Sequence, residues 1–272
     1  MKASFMSFWR RNLGFSQLAI QQQLEYRTNF VVDAFVQPLI AVIFEILLWI
    51  AVFKGAQTTE IAGFSLESYL SYALWGTFFA RISANWMYEH RMIEQINSGQ
   101  INSLLIRPTN FFEYFLFQFL GYKILIMCLS LALPGLAVFY LDYPTFFYRL
   151  PLAALLAIFF LVFTYCLSFL ISTFAFQFNK IHAFTFSKNI TLWILTGELF
   201  PLDLLPSPLK EIFIASPFSA GVYLPVGYLT GRFGESQILQ GFLSVSLGIL
   251  FLGLIGSFHW KRSLKIYSGT GA

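Results

Sequence analysis

The sequence predicts an all-α integral membrane protein with six transmembrane helices behind an amphipathic interfacial helix, on three observations. The 272 residues are 57% hydrophobic and only 11% charged, with a mean hydropathy of +0.68, too apolar for a soluble domain of this size. Apolar runs recur at the length of roughly 20 residues that a helix needs to cross a bilayer core. Finally, the run from Ile190 to Leu199 gives way to Phe200, Pro201, Leu202, Asp203, Leu204, Leu205, Pro206, Ser207 and Pro208. Lipid tolerates such broken backbone only where protein or a watery cavity satisfies its amides and carbonyls, as along a translocation path.

Residues 1–29 open the chain, and Phe8, Phe15, Leu18 and Ala19 alternate there with Arg11, Gln17, Gln21 and Gln22 at helical spacing. This pattern predicts a helix lying on the membrane surface. Lys2, Arg10 and Arg11 are followed by glutamines and not by an apolar stretch with a cleavage site, so no cleavable signal peptide is expected. The spans are expected at residues 30–53, 66–87, 114–140, 150–176, 183–199 and 238–258, leaving 259–272 as a tail and the whole chain as one membrane domain. The third and fourth are long enough to tilt, whereas prolines cut the fifth short. No duplicated halves with matching interruptions are evident.

Lys and Arg flanks set the orientation. Lys2, Arg10, Arg11, Arg27, Arg91, Arg107, Lys180, Lys188, Lys261, Arg262 and Lys265 fall on the side of the termini; Lys54, Arg149, Lys210 and Arg232 fall on the other. Both termini are therefore expected in the cytoplasm. Trp9, Tyr26, Trp49, Tyr69, Trp86, Tyr140, Tyr143, Tyr148, Tyr228 and Trp260 lie near the expected span ends, as an interfacial belt requires. The net charge of +4 is spread over membrane flanks, which points to membrane lipids as partners and not to nucleic acid.

No phosphate-cradling GxxxxGK loop occurs, so this chain is not expected to be an enzyme or to bind a cofactor itself. Cys128 and Cys166 sit in apolar runs and read as packing residues; His90, His182 and His259 lack metal-ligand spacing. The longest connection, residues 88–112, places Met92, Ile93 and Ile96, then Ile101, Leu104 and Leu105, on two short amphipathic helices around Gly99, with Pro108 ending the second. Such a pair can be a docking knob for another protein or a connector resting on the membrane. Within the spans stand Asp33, Glu45, Arg81 and Lys123, with Glu198 and Asp203 at the broken helix. Each charge costs about 2.5–3.5 kcal/mol on insertion scales, so each should face protein or water and find a partner. A substrate path and packing ion pairs remain equal readings of these groups. Helix rise places Glu45 deepest.

The surface helix, six spans, polar loop and broken segment together resemble a type-two ATP-binding-cassette (ABC-2) exporter permease, over nearly the whole chain. The most specific parts are Glu94, Gly99, Leu104-Leu105 and Arg107-Pro108 after span two, and Gly197, Phe200, Pro201, Leu205, Pro206 and Pro217 after span five. The resemblance implies a dimer of small six-span permeases without their own ATPase domain, in the bacterial inner membrane. A second permease, identical or related, would complete the pair, and separate ATPase subunits would use ATP and Mg. It implies a coupling helix within residues 91–105, involving Arg91, Glu94, Ile96, Gly99, Ile101, Leu104 and Leu105. It also implies a re-entrant helical hairpin between spans five and six, with Gly197, Glu198, Phe200, Pro201, Leu205, Pro206 and Pro217 as an outer gate. The substrate would be drug-like, lipidic or a glycan. The lack of a large extracellular domain argues against lipoprotein handling or mechanotransmission. The rival reading is an ion-coupled secondary transporter or channel working through Asp33, Glu45, Arg81 and Lys123. An intramembrane enzyme is a third reading, for which no nucleophile, His/Asp pair or metal set converges in the spans.

Overall fold

The computed structural model describes residues 2–135, 145–178 and 180–267. The far end of the expected third span, Tyr140 and Tyr143 of the aromatic belt, and the last tail residues, 268–272, lie outside the described residues.

Helix α1, Lys2–Glu25, leads into α2, Arg27–Ala56. The second turn of α2, Val32–Val36, is wound as a π-helix just before Pro38. Pro38 has no amide hydrogen for the ladder, and a widened turn accommodates its absence. A two-residue ribbon follows, β1 (Glu60–Ile61) antiparallel to β2 (Phe64–Ser65), closed by Ala62 and Gly63 at positive φ. The Ser65 hydroxyl accepts from the Ser68 amide and caps α3, Leu66–Ser83.

Extended backbone at Ala84 stops α3, and a separate helix, α4 (Trp86–Asn97), begins two residues on. The second expected span thus ends at Ser83 and not at residue 87. After α4 come α5 (Ile101–Leu105) and α6 (Phe111–Ser130), the latter capped by Asn110. Next are α7 (Leu150–Thr173) and α8 (His182–Leu195), then the short α9 (Leu209–Ala215) and α10 (Tyr223–Leu229), and the long α11 (Glu235–Ile266).

Among the described residues, four helical stretches are long and apolar enough to cross a membrane: Arg27–Ala56, Phe111–Gly135, Phe147–Phe176 and Glu235–Ile266. They coincide with the first, third, fourth and sixth expected spans. Helix α3 carries Ser71, Thr77 and Arg81 because most of it is enclosed by protein and has no need of a uniformly apolar surface. Helix α8 is shorter, at 14 residues.

Helix α7 stands at the centre, touching α3, α4, α10 and α11. Helices α2 and α11 lie outside it and present Ile40, Phe44, Leu47, Leu243, Leu250 and Leu254 outward, as lipid-facing helices do. One core gathers Trp75, Phe79, Phe160, Val222 and Leu224; a second, at the end of the bundle holding α4 and α5, gathers Tyr88, Met92, Ile101, Phe119 and Tyr165. A smaller cluster joins Trp49, Phe53 and Tyr69 under the ribbon.

The face that α1 buries corrects the sequence reading. It packs along α6 through Asn12, Ser16 and Ala19, while Leu13 and Leu18 stay exposed and Phe8 and Phe15 are half-buried. The backbones approach so closely that a Cβ at Gly121 would lie 2.7 Å from the Ser16 Cα. Ser16 Oγ donates to the Phe117 carbonyl at 2.6 Å, and Arg11 pairs with Glu113 at 2.7 Å. Close helix crossing selects small residues, so the contact falls on the face that looks least hydrophobic.

Candidate functional site

At the end of the bundle bearing α4 and α5, Gly99 takes a φ of 74°, which lets the chain reverse between the two short helices. Ser98 Oγ donates to the Glu94 carbonyl at 2.7 Å, Ser103 Oγ to the Gln100 carbonyl at 2.8 Å, and Gln95 to Gln100 at 2.8 Å. The residues expected to form a coupling element divide by face. Ile96, Gly99, Ile101 and Leu104 are buried in the core, whereas Glu94 and Leu105 face outward next to Ile106, which is 85% exposed. Arg91 lies over the Tyr88 ring at 5.2 Å, and the Tyr88 hydroxyl donates to the Gln118 carbonyl at 3.1 Å. Burial pushes the Tyr88 phenol up to about 12, so it stays a donor at neutral pH. The result is a braced knob with a short outward ridge.

Behind the knob lies a polar node that the sequence reading missed. The Lys188 ammonium of α8 pairs with the Glu89 carboxylate of α4, which also accepts from Ser168 of α7. Lys188 reaches Ser168 Oγ at 3.0 Å and Asn85 Oδ1 at 3.3 Å as well. Lys188 therefore leaves the set of flanking bases and joins the buried residues, because a carboxylate 99 positions away in sequence offsets its desolvation. The signal available was a lysine inside an apolar run. Nearby, the His90 and His182 rings approach to 5.3 Å.

Three of the four expected intramembrane charges meet at one place. Arg81 of α3 binds both the backbone carbonyl and the carboxylate of Asp33, the latter at 2.8 Å, and reaches Gln37 Oε1 at 3.2 Å. Tyr122 donates to the other Asp33 oxygen, and Lys123 donates to the Arg81 carbonyl at 2.6 Å. These groups bond one another beside a cavity of ≈ 20 Å³, enough for one water. Glu45 stands apart. It shares with Glu198, Arg81 and Trp193 a groove of ≈ 440 Å³ between α2, α3 and the end of α8. Neither Glu45 nor Glu198 forms an ion pair with another described residue.

At the opposite end, Gly197 takes a φ of 80°, and its carbonyl accepts from the Tyr72 hydroxyl at 2.7 Å. The chain then winds through Phe200, packed on the cluster of Trp49 and Tyr69, the buried Pro201, and Leu205, packed on the first core. Pro206 is exposed, and Pro217 opens the short helical turn Pro217–Ala220. Asp203 ties the segment together: it accepts from Tyr223 at 2.8 Å and pairs with Lys210 at 2.9 Å and Arg232 at 3.4 Å. Arg232 stacks 3.3 Å from the Phe64 ring centre. Tyr72, Tyr223 and Arg232 were not among the expected gate residues, although a lone arginine beside a glycine turn was a visible hint.

No curated protein matches the chain. A family model described as ABC-2 family transporter protein matches residues 39–271. The match takes in the knob, the buried node, the acid-lined groove from Ala41 onward and the wound segment, and the chain belongs to the ABC-2 transporter protein family.

Proposed function

We propose that the chain is the permease subunit of an ATP-driven exporter in the bacterial inner membrane, with both termini cytoplasmic. Helices α3 and α8 complete six spans, and residues 197–229 form the re-entrant hairpin that closes the outer end. Two permeases, identical or related, pair to enclose the path, and ATP and Mg act in a separate ATPase subunit. This chain contributes no catalytic group and holds no cofactor.

The observation that carries the reading is the outward ridge of Glu94, Leu105 and Ile106 on helices whose other faces are locked into the core. An exposed isoleucine on a rigid mount suits a partner's pocket. A push on α4 is passed through Glu89 to Lys188 and so along α8 to Gly197, where the outer segment begins. The acid-lined groove sits on the apolar face of α2, in reach of a second permease packed there.

The test is capture of the tagged full-length protein from its own host, followed by mass spectrometry, with and without Leu105→Asp/Ile106→Asp. Both positions are exposed, so the variant keeps its fold, and loss of an apolar anchor worth about 2 kcal/mol lowers ATPase recovery roughly thirtyfold. Failure of the unmodified protein to retain any ATPase subunit under complex-preserving conditions sinks the reading.

A further inference from the structure

A groove of ≈ 1080 Å³ runs between α6, α7 and α11 and shares no lining residue with the acid-lined groove. It exceeds the range of about 300–1,000 Å³ usual for small-ligand pockets. Its walls are apolar, formed in part by Cys166 and Phe169 of α7 and by Gly253 and Leu254 of α11. Gly253 leaves real space, because a Cβ added there meets no atom within 4 Å. Along α11 the groove runs from Ile249 to Leu264, about 22 Å by helix rise. That is close to one leaflet with its headgroup region, half of a bilayer about 40–45 Å thick.

The groove is polarised. Arg11, Arg107 and Lys261 line it, all at the end where α6 begins and α11 approaches its C-terminus. Glu113 is the one carboxylate among its lining residues and is already paired with Arg11 at 2.7 Å. Arg107 and Lys261 form no ion pair with any described residue. The outer rim is the lipid-facing side of α11, with Leu250 and Leu254 both more than half exposed. An extended polypeptide lying there would carry unpaired backbone amides into hydrocarbon, whereas a lipid brings none.

We infer that this groove is a binding site for one anionic diacyl phospholipid of the cytoplasmic leaflet, its phosphate between Arg107 and Lys261 and an acyl chain over Gly253. The inference rests on the membrane placement proposed above, with the basic end cytoplasmic. A lipid seated there touches both Leu105 at the knob and the centre of the bundle, so occupancy links membrane composition to the coupling end.

The experiment is native mass spectrometry of the delipidated full-length protein titrated with palmitoyl-oleoyl phosphatidylglycerol or with phosphatidylcholine of the same chains. The first phosphatidylglycerol binds at least about tenfold more tightly than phosphatidylcholine, and each basic residue removed weakens it about fivefold in Arg107→Gln and Lys261→Gln. Gly253→Trp, which fills open space without touching a charge, abolishes the tight site. Equal binding of the two lipids, retention of the preference in all three variants, or occupation of the groove by a co-purified polypeptide overturns the inference. ATPase capture is read separately, on the unmodified protein: no ATPase captured with lipid selectivity intact fails the exporter reading alone, and an ATPase captured with no lipid selectivity fails the lipid site alone.

Discussion

Lys188 and Glu89 form an ion pair whose side chains are 6% and 0% exposed, joining α8 to α4 across α7. Removing one partner of a buried pair leaves an uncompensated charge and costs about 3–5 kcal/mol, whereas replacing both by apolar groups can be nearly neutral. Lys188→Met should therefore lower the thermal stability of the detergent-solubilised protein far more than Lys188→Met combined with Glu89→Leu. Equal losses in the single and double variants would show that the pair contributes nothing. If the proposed exporter reading holds, the double variant, stable but without the polar link, should leave ATP hydrolysis by the captured ATPase subunit intact while transport slows.

Gly197 holds the turn out of α8, and a Cβ there would meet the Tyr72 hydroxyl at 2.8 Å and the Tyr223 Cβ at 3.1 Å. Gly197→Ala combines a left-handed backbone with that clash and should cost about 1–3 kcal/mol. Tyr72→Phe removes the hydroxyl but leaves the buried Gly197 carbonyl unpaired, a loss of about 1–3 kcal/mol. Melting curves of the two variants should show both losses. An unchanged Gly197→Ala curve would mean that the turn is free to rearrange.

The crossing of α1 and α6 depends on Gly121. Larger side chains there meet the Ser16 backbone, which cannot swing away as a flexible side-chain tip can. Gly121→Leu should detach α1 at a cost of about 1–3 kcal/mol, read as faster tryptic cleavage after Arg10 and Arg11. Cleavage at the unmodified rate would place α1 elsewhere.

Around Asp203, two cations of different exposure should behave differently. Lys210 is 37% exposed and Arg232 only 8%. Lys210→Ala should cost no more than about 1 kcal/mol, as surface pairs do. Asp203→Asn strands the buried guanidinium and should cost about 3–5 kcal/mol. Matching melting temperatures for the two variants would contradict this ranking.

The parts of the molecule that meet lipid were the legible ones. The apolar runs that became α2, α6 and α11 stand out because hydrocarbon contact demands uniform apolarity over a bilayer's length, and that of α7 because it packs apolar side chains on the helices around it. Gly99 and the helices beside it were legible because turn chemistry is local. The break at Ala84 was not, since neither glycine nor proline marks it and tertiary packing sets it. The partnership of Lys188 with Glu89 was hidden for the same reason, as was the division of the knob into a buried face with Ile101 and an outward ridge with Leu105. In α1 the pattern favoured the bulky residues, while the contact needed small ones.

The wide turn at Val32–Val36 inserts a phase shift into α2. Each residue of an α-helix advances about 100°, so one residue more or fewer in that turn rotates everything beyond it by that angle. The heading of Glu45 is thereby set by the number of residues in the turn that holds Asp33. A single-codon deletion that closed the turn would swing Glu45 and Gln37 away from their present neighbours together, so the width of one turn fixes one wall of the acid-lined groove.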